Sequence, residues 1–191
     1  MIVSETERLR IRAWKESDRD LFFEINSDPK VMEFFPHRRS REESDALFDR
    51  VGRGIAETGL GFFAVALKAD DRPIGFCGLA YTDLEPCLPK GTVEIGWRLA
   101  LPFWGKGYIS EAARDLLRYG FEEQGLREIV SFAIPENIRS TAVMARLGMH
   151  RDPTRDFNHP RIPADKPQLV HHVLYATTRA DWQAQRAKRG A

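Results

Sequence analysis

The sequence predicts one α/β domain of the α+β kind, a mixed but mostly antiparallel sheet of six or seven strands with about four helices on its two faces. Three observations carry that expectation. Runs with the two-residue period of a half-buried strand are interspersed with runs of 3.6-residue period. Gly61 to Leu67 (GFFAVAL) and Pro73 to Tyr81 (PIGFCGLAY) flank the turn Asp70-Asp71-Arg72 and so read as a hairpin. From Glu94 to Ala113, EIGWRLALPFWGKGYISEAA, an apolar strand passes through a glycine turn into a helix. A length of 191 residues suits a single domain with a real core, here 7–180, and a charged tail; no repeat or second core is visible.

Composition narrows the class. An apolar fraction of 42% and a charged fraction of 30% are those of a soluble globular protein. A net charge of +1 excludes a dedicated nucleic-acid binder, which would be strongly basic, and the basic residues from Arg179 to Arg189 read as a solvated tail. Cys77 and Cys87 match neither a disulfide framework nor a zinc spacing, so a reduced cytoplasmic setting without a metal is expected. MIVSETERLR carries charges where a signal peptide needs an apolar run, and no stretch is long enough for a membrane span.

The elements follow in order. Arg8 to Arg12 alternates, with Leu9 and Ile11 inward, as a strand does. Ser17 is placed to cap a helix bearing Leu21, Phe22 and Ile25, and Asp28-Pro29 to open a short helical turn through Met32. Phe34 and Phe35, followed by Pro36 and His37, either pack against neighbouring helices or line a substrate pocket. Ser40-Arg-Glu-Glu is a capping box opening a helix to Glu57, stopped by Gly59. Gly91 to Leu99 is the next strand. The helix after Gly107 presents Ala112, Ala113, Leu116, Leu117 and Phe121 on one face. Arg127 to Ala133 is a strand, and Ile138 to Leu147 a helix that Gly148 ends. Pro153 to Pro167, with four prolines and no period, reads as a long loop. His171 to Thr178 is the last strand, before a charged helical tail.

The turn Trp104-Gly105-Lys106-Gly107-Tyr108 is the focal feature. Its glycines let the backbone turn tightly, and the helix beginning there points unpaired N–H groups outward, an arrangement that attracts phosphates. It lacks the Gly-Lys-Ser/Thr of a P-loop and the GxGxxG spacing of a dinucleotide fold. Together with ETERLRIR, GFFAVAL, RPIGFCGL, VEIGWRLALPFWGKGYISEA and NIRSTAVMARLGM, it resembles the GNAT superfamily of N-acetyltransferases, in the branch of ribosomal-protein N-terminal alanine acetyltransferases. The resemblance spans most of the chain. It implies a sheet splayed between the family's fourth and fifth strands, VEIGWRL and REIVSFA here, with acetyl-CoA in the wedge.

The resemblance also implies roles. Backbone amides of Gly105, Lys106, Gly107, Tyr108 and Ile109 would hold the pyrophosphate, with Trp104 part of the same cofactor-binding turn in place of the family's Gln or Arg; the Lys106 ammonium either adds charge or is solvated. Trp97, Arg98 and Leu99 would pair with the pantetheine arm, and the Leu99 amide would polarise the thioester carbonyl. Asn137 and Ser140 match the family's pantetheine-binding Asn-x-x-Ser, or serve as helix caps. Glu94 interrupts an apolar strand on the face of Gly96 and Arg98: it is either the general base, its pKa raised by burial, or a structural carboxylate paired to an arginine such as Arg98. The family's usual acid, a Tyr seven residues after the Asn, is Met144 here, leaving Ser140, Tyr175 or water to protonate or stabilise the thiolate. No histidine has a recognisable catalytic partner; His159 is structural or reaches the acceptor pocket with Phe34 and Phe35.

The expected activity is direct acetyl transfer from acetyl-CoA to a primary amine, an acyl transfer other than aminoacyl transfer. The acceptor is a small molecule or a protein N-terminus, and the enzyme a monomer or homodimer. Met144 keeps open a non-catalytic acyl-CoA-binding protein on the same fold, and a nucleotide-binding protein is the third reading.

Overall fold

The computed structural model describes residues 1–190; Ala191 and the side chains of residues 189 and 190, the end of the basic tail, lie outside the description. The chain forms two compact units, one of residues 1–80 with 96–116, the other of residues 81–95 with the chain from 117 onward.

In the first unit, β1 (Ile2–Glu5) runs antiparallel to β2 (Leu9–Arg12), and β2 to β3 (Gly61–Leu67), with Leu9 opposite Leu67 and Arg12 opposite Ala64. The expected hairpin forms between β3 and β4 (Pro73–Tyr81), and Phe63 faces Cys77 across it. A Cβ at Gly78 would stand 1.9 Å from the Gly61 carbonyl oxygen, so only glycine permits the strands to approach there. The helices α1 (Arg19–Ser27) and α2 (Arg41–Thr58) belong to this unit. The capping box is formed as expected: Ser40 Oγ accepts from the Glu43 N–H, the Ser40 N–H donates back to Glu43, and Gly59 closes α2 at φ 71°. Trp14, Phe22 and Phe48 interlock, with Phe22 edge-on to both at 4.9 and 5.3 Å.

One expectation fails here. Ser17 does not cap α1: a turn of 3-10 helix over Glu16–Asp18 precedes it, and the Asp18 carboxylate takes the Lys15 N–H instead. The stretch after Asp28-Pro29 forms the expected short helical turn and no extended helix: the Met32 N–H donates to the Asp28 carbonyl at 3.0 Å, and the Asp28 carboxylate caps the Lys30 and Val31 N–H groups.

In the second unit, β5 (Val93–Leu99), which continues into the first unit at Gly96, runs parallel to β6 (Glu128–Ala133) with Glu94 opposite Val130. One step on, the Ser131 hydroxyl donates to the Ile95 carbonyl at 2.9 Å. The strand β9 (His171–Thr178) pairs antiparallel with the whole of β6 through its residues 173–178, and the dipeptide strands β7 (His150–Arg151) and β8 (Phe157–Asn158) add to β9. The helix α3 (Tyr108–Arg118), which belongs to the first unit as far as Leu116, carries the predicted apolar stripe: Ala112, Ala113, Leu116, Leu117 and Phe121 are all buried. A single π turn over Tyr119–Glu123 extends it. The helix α4 (Ile138–Arg146) is followed by Gly148 at φ 78°, and α5 (Arg179–Gly190) docks Trp182 on Phe121 at 5.4 Å.

Pro153 to Pro167 is not the structureless loop its prolines suggested. The Asp156 carboxylate accepts the Leu174 N–H at 3.0 Å and the Arg151 guanidinium, fixing the segment to β9, and Phe157 joins Leu84, Leu88, Val130 and Leu174 in the core. The fold is thus the expected mixed, mostly antiparallel α/β type: among the described residues there are seven strands of four or more residues, two dipeptide strands, and five α-helices counting the tail.

Candidate active site

The glycine turn grows out of the end of β5. Pro102 starts a single 3-10 turn over Leu101–Phe103, and the Trp104 indole N–H then donates back to the Leu99 carbonyl at 2.8 Å. Gly105 and Gly107 take φ values of 73° and 79°, which an ordinary side chain resists. The first helical bond of α3 runs from the Glu111 N–H to the Gly107 carbonyl, so the amides before it have no partner inside the helix. Gly105, Lys106 and Gly107 are exposed while Ile109 is buried, and no atom lies within 4 Å of where a Cβ would stand at Gly105. An exposed run of amides at the positive end of an 11-residue helix, with the approach left open by glycine, fits a pyrophosphate.

A brace for this turn escaped the sequence reading. Glu111 Oε1 accepts from the Arg8 N–H at 2.9 Å and from the Thr6 hydroxyl. The Arg8 guanidinium donates to Glu111 Oε2 at 2.6 Å and to the Lys106 carbonyl at 3.1 Å, and it lies 4.6 Å from the centre of the Tyr108 ring. With Arg8 and Glu111 103 positions apart, no local pattern announces the bridge. Lys106 itself reaches back toward Phe103, 5.6 Å from the ring centre.

The rest of β5 in this unit is closely packed. A Cβ at Gly96 would meet the Phe62 ring at 2.9 Å, and one at Gly75 would meet the Arg98 carbonyl at 2.2 Å. Trp97 is partly buried and Leu99 buried. The Arg98 guanidinium stacks on Phe35 and Phe76, 4.1 and 5.3 Å from the ring centres, and donates through Nη1 to Asn26 Oδ1. Its partner is therefore an amide and not Glu94. Phe34 is partly buried and Phe35 is exposed.

In the second unit Glu94 is partly buried and, among the described residues, no cation pairs with its carboxylate. Burial first, and then the negative charge of Asp83, push its pKa up to about 7. Asp83 in turn pairs with Arg161 at 2.6 Å. Asn137 is the N-cap of α4: its Oδ1 accepts from the Ser140 N–H at 3.2 Å, and Ser140 lies partly buried in the first turn. Met144 is fully enclosed in the core, whereas Tyr175, opposite Ser131, keeps part of its surface in solvent. His159 sits in an aromatic group with Phe157, Phe132 and His172, 5.0 Å from the His172 ring. Burial lowers the pKa of both histidines, that of His172 to about 4, so both rings are neutral at pH 7.

Residues 8–150 match the family model of the acetyltransferase (GNAT) domain. The chain belongs to the GNAT family. It is 35% identical over 148 residues to the uncharacterized N-acetyltransferase YnaD of Bacillus subtilis (strain 168), covering 77% of this chain and 82% of that one. A GNAT-family acetyltransferase from Bacillus anthracis superposes with a TM-score of 0.74 at 27% identity, covering 94% of this chain and 99% of that one. The aminoglycoside acetyltransferase AAC(6')-Ib, determined in complex with coenzyme A, shares the fold with a TM-score of 0.73 at 17% identity, over 93% and 99% of the two chains. This GNAT protein is accordingly an acyltransferase of the N-acetyltransferase kind, in a family that uses acetyl-CoA and amine acceptors. Among its described residues no three metal-ligating side chains gather, and no helix is long and apolar enough to cross a membrane.

Proposed function

We propose that this GNAT protein transfers the acetyl group of acetyl-CoA directly to a primary amine. The observation that carries the reading is the open Gly105–Gly107 turn at the start of α3, whose exposed amides suit the pyrophosphate. In this reading the main chain of Trp97, Arg98 and Leu99 receives the pantetheine arm, and the Leu99 amide polarises the thioester carbonyl. The neutral amine attacks the carbonyl carbon; the N–C bond forms, the C–S bond breaks, and CoA leaves as the thiolate. Glu94 takes the ammonium proton, directly or through a water, and a pKa of about 7 suits it to that task at neutral pH. The thiolate takes its proton from water or from the hydroxyl of Ser140 or Tyr175, since Met144 has none to give.

The motif run's likeness to ribosomal-protein N-terminal alanine acetyltransferases supports a protein N-terminus as one acceptor. Two free cysteines support a reducing, cytoplasmic setting. The buried Met144 favours one competing reading, an acyl-CoA-binding protein without turnover. A thiol-release assay over amines and N-terminal peptides separates the two. Turnover with some acceptor, lost in Glu94→Gln while the variant still binds acetyl-CoA, supports the enzyme; binding without turnover on any acceptor supports the competitor.

A further inference from the structure

Most arginine side chains with polar partners in the first unit meet a carboxylate. Arg8 meets Glu111, Arg10 meets Glu5 and Asp71, the buried Arg12 meets Asp18, and Arg19 meets Asp49. Arg98 breaks the rule, donating to an amide, and Arg39 stands beside it on the same Asn26. Among the described residues, no carboxylate pairs with either guanidinium. Their charges are close enough to repel, and that repulsion adds to burial in disfavouring the charged form of Arg98. The Arg98 Nε–H is enclosed and has no hydrogen-bond partner at all. A guanidinium stays protonated at neutral pH in any setting, so a fold that places two together without a counter-charge leaves a standing demand for an anion.

The surroundings are built and not incidental. Asn26 is fully buried and acts as a junction: its Nδ2 donates to the Phe22 carbonyl at 2.6 Å, its Oδ1 takes Arg98 Nη1, and its own carbonyl accepts the Arg39 N–H at 2.8 Å. One residue thus fixes the Arg98 head group and the backbone of Arg39. With Nη1 held by Asn26 and Nε enclosed, Nη2 is the Arg98 donor left to take an oxygen of an anion such as a carboxylate. Phe35, 39% exposed, covers the guanidinium face and shields whatever binds there from water.

We propose that Arg98 and Arg39, fixed by Asn26 and covered by Phe35, form a receptor for a carboxylate carried by the acetyl acceptor. This rests on the acetyltransferase reading above and narrows its acceptor to amines that bear an acidic group, supplied by a free amino acid or by an acidic residue of a peptide. Polyamines and other purely cationic amines are disfavoured at such a site by like charge.

The test measures kcat and KM by thiol release for matched acceptors: amino acids and their amides, Asp-containing peptides and their Asn counterparts, and spermidine. The expected result is at least a tenfold higher kcat/KM for the carboxylate member of one matched set, expressed mainly in KM; which set shows it distinguishes the two sources. That preference should vanish in Arg39→Gln and in Arg98→Gln, and return in part in Arg98→Lys, which restores charge without the fork. Equal turnover of acid and amide, faster turnover of spermidine, or a preference that survives Arg39→Gln would overturn the proposal while leaving acetyl transfer standing. If no amine turns over, acetyl transfer itself fails, and the receptor is read by thermal shift with the same matched ligands. Stabilisation by the acid alone, lost in Arg39→Gln with the unliganded melting temperature unchanged, supports it; no such stabilisation overturns it.

Discussion

At Glu94, burial and the Asp83 carboxylate act in the same direction, and the consequence can be read in pH dependence. Below about pH 4.5 the folded and unfolded chains both hold the proton; between that pH and about 7 only the folded chain holds it, so ionisation of Glu94 lowers stability across this window and is level above it. Glu94→Gln should therefore gain stability relative to the parent as pH rises from 4.5 to 7, by up to about 3 kcal/mol, in urea titrations at stepped pH. In the parent, kcat/KM should rise with pH about a midpoint near 7, and Glu94→Gln should lose turnover across that range. Asp18 is buried against Arg12 at 2.6 Å. Asp18→Ala strands a buried guanidinium, and denaturant unfolding should show a loss of about 3–5 kcal/mol, reduced by the help Arg12 still has from Asp71.

Among the elements, the turn into α3 and the strap formed by β8 are the ones whose behaviour can be forecast. Gly107→Ala puts a side chain at φ 79°, costing about 1–2 kcal/mol of backbone strain, with only a 3.6 Å contact to Arg8 on the steric side. Glu111→Gln weakens the grip of Arg8 and Thr6 on the same turn. Both variants should raise the KM for acetyl-CoA, Gly107→Ala by about tenfold, with little change in acceptor KM. In the strap, His172 stacks on Phe157 at 5.7 Å and stays neutral until about pH 4, while the unfolded chain takes a proton near 6.5. Its contribution to stability is present above pH 6.5 and is lost as pH falls toward 4, so His172→Phe should flatten the acid limb of the stability curve there. These elements differ in how visible they were. The capping box of α2 and the stripe of α3 are local periodicities and could be read directly. Phe157-Asn158 is two residues long and held by Asp156, so no period announces it, and β1, with two polar residues in four, hides in the same way.

For the molecule as a whole, the strand, turn and helix run from Val93 to Arg118 was legible because its glycines, its apolar strand and its helical stripe are contiguous in sequence. The Arg8–Glu111 brace and the Asn26 junction were not, since each joins side chains that only the fold brings together. Acetyl-CoA recognition is the premise on which every catalytic prediction depends, and it is a property of the folded protein rather than of one residue. It is tested most directly by thermal unfolding of the purified protein during titration with acetyl-CoA, with ATP and NAD in parallel. A ligand bound to the folded chain at 100 times its dissociation constant adds about 2.7 kcal/mol, so the melting temperature should climb with acetyl-CoA and stay level with the other two. No rise at millimolar acetyl-CoA, or an equal rise with ATP or NAD, would contradict the account.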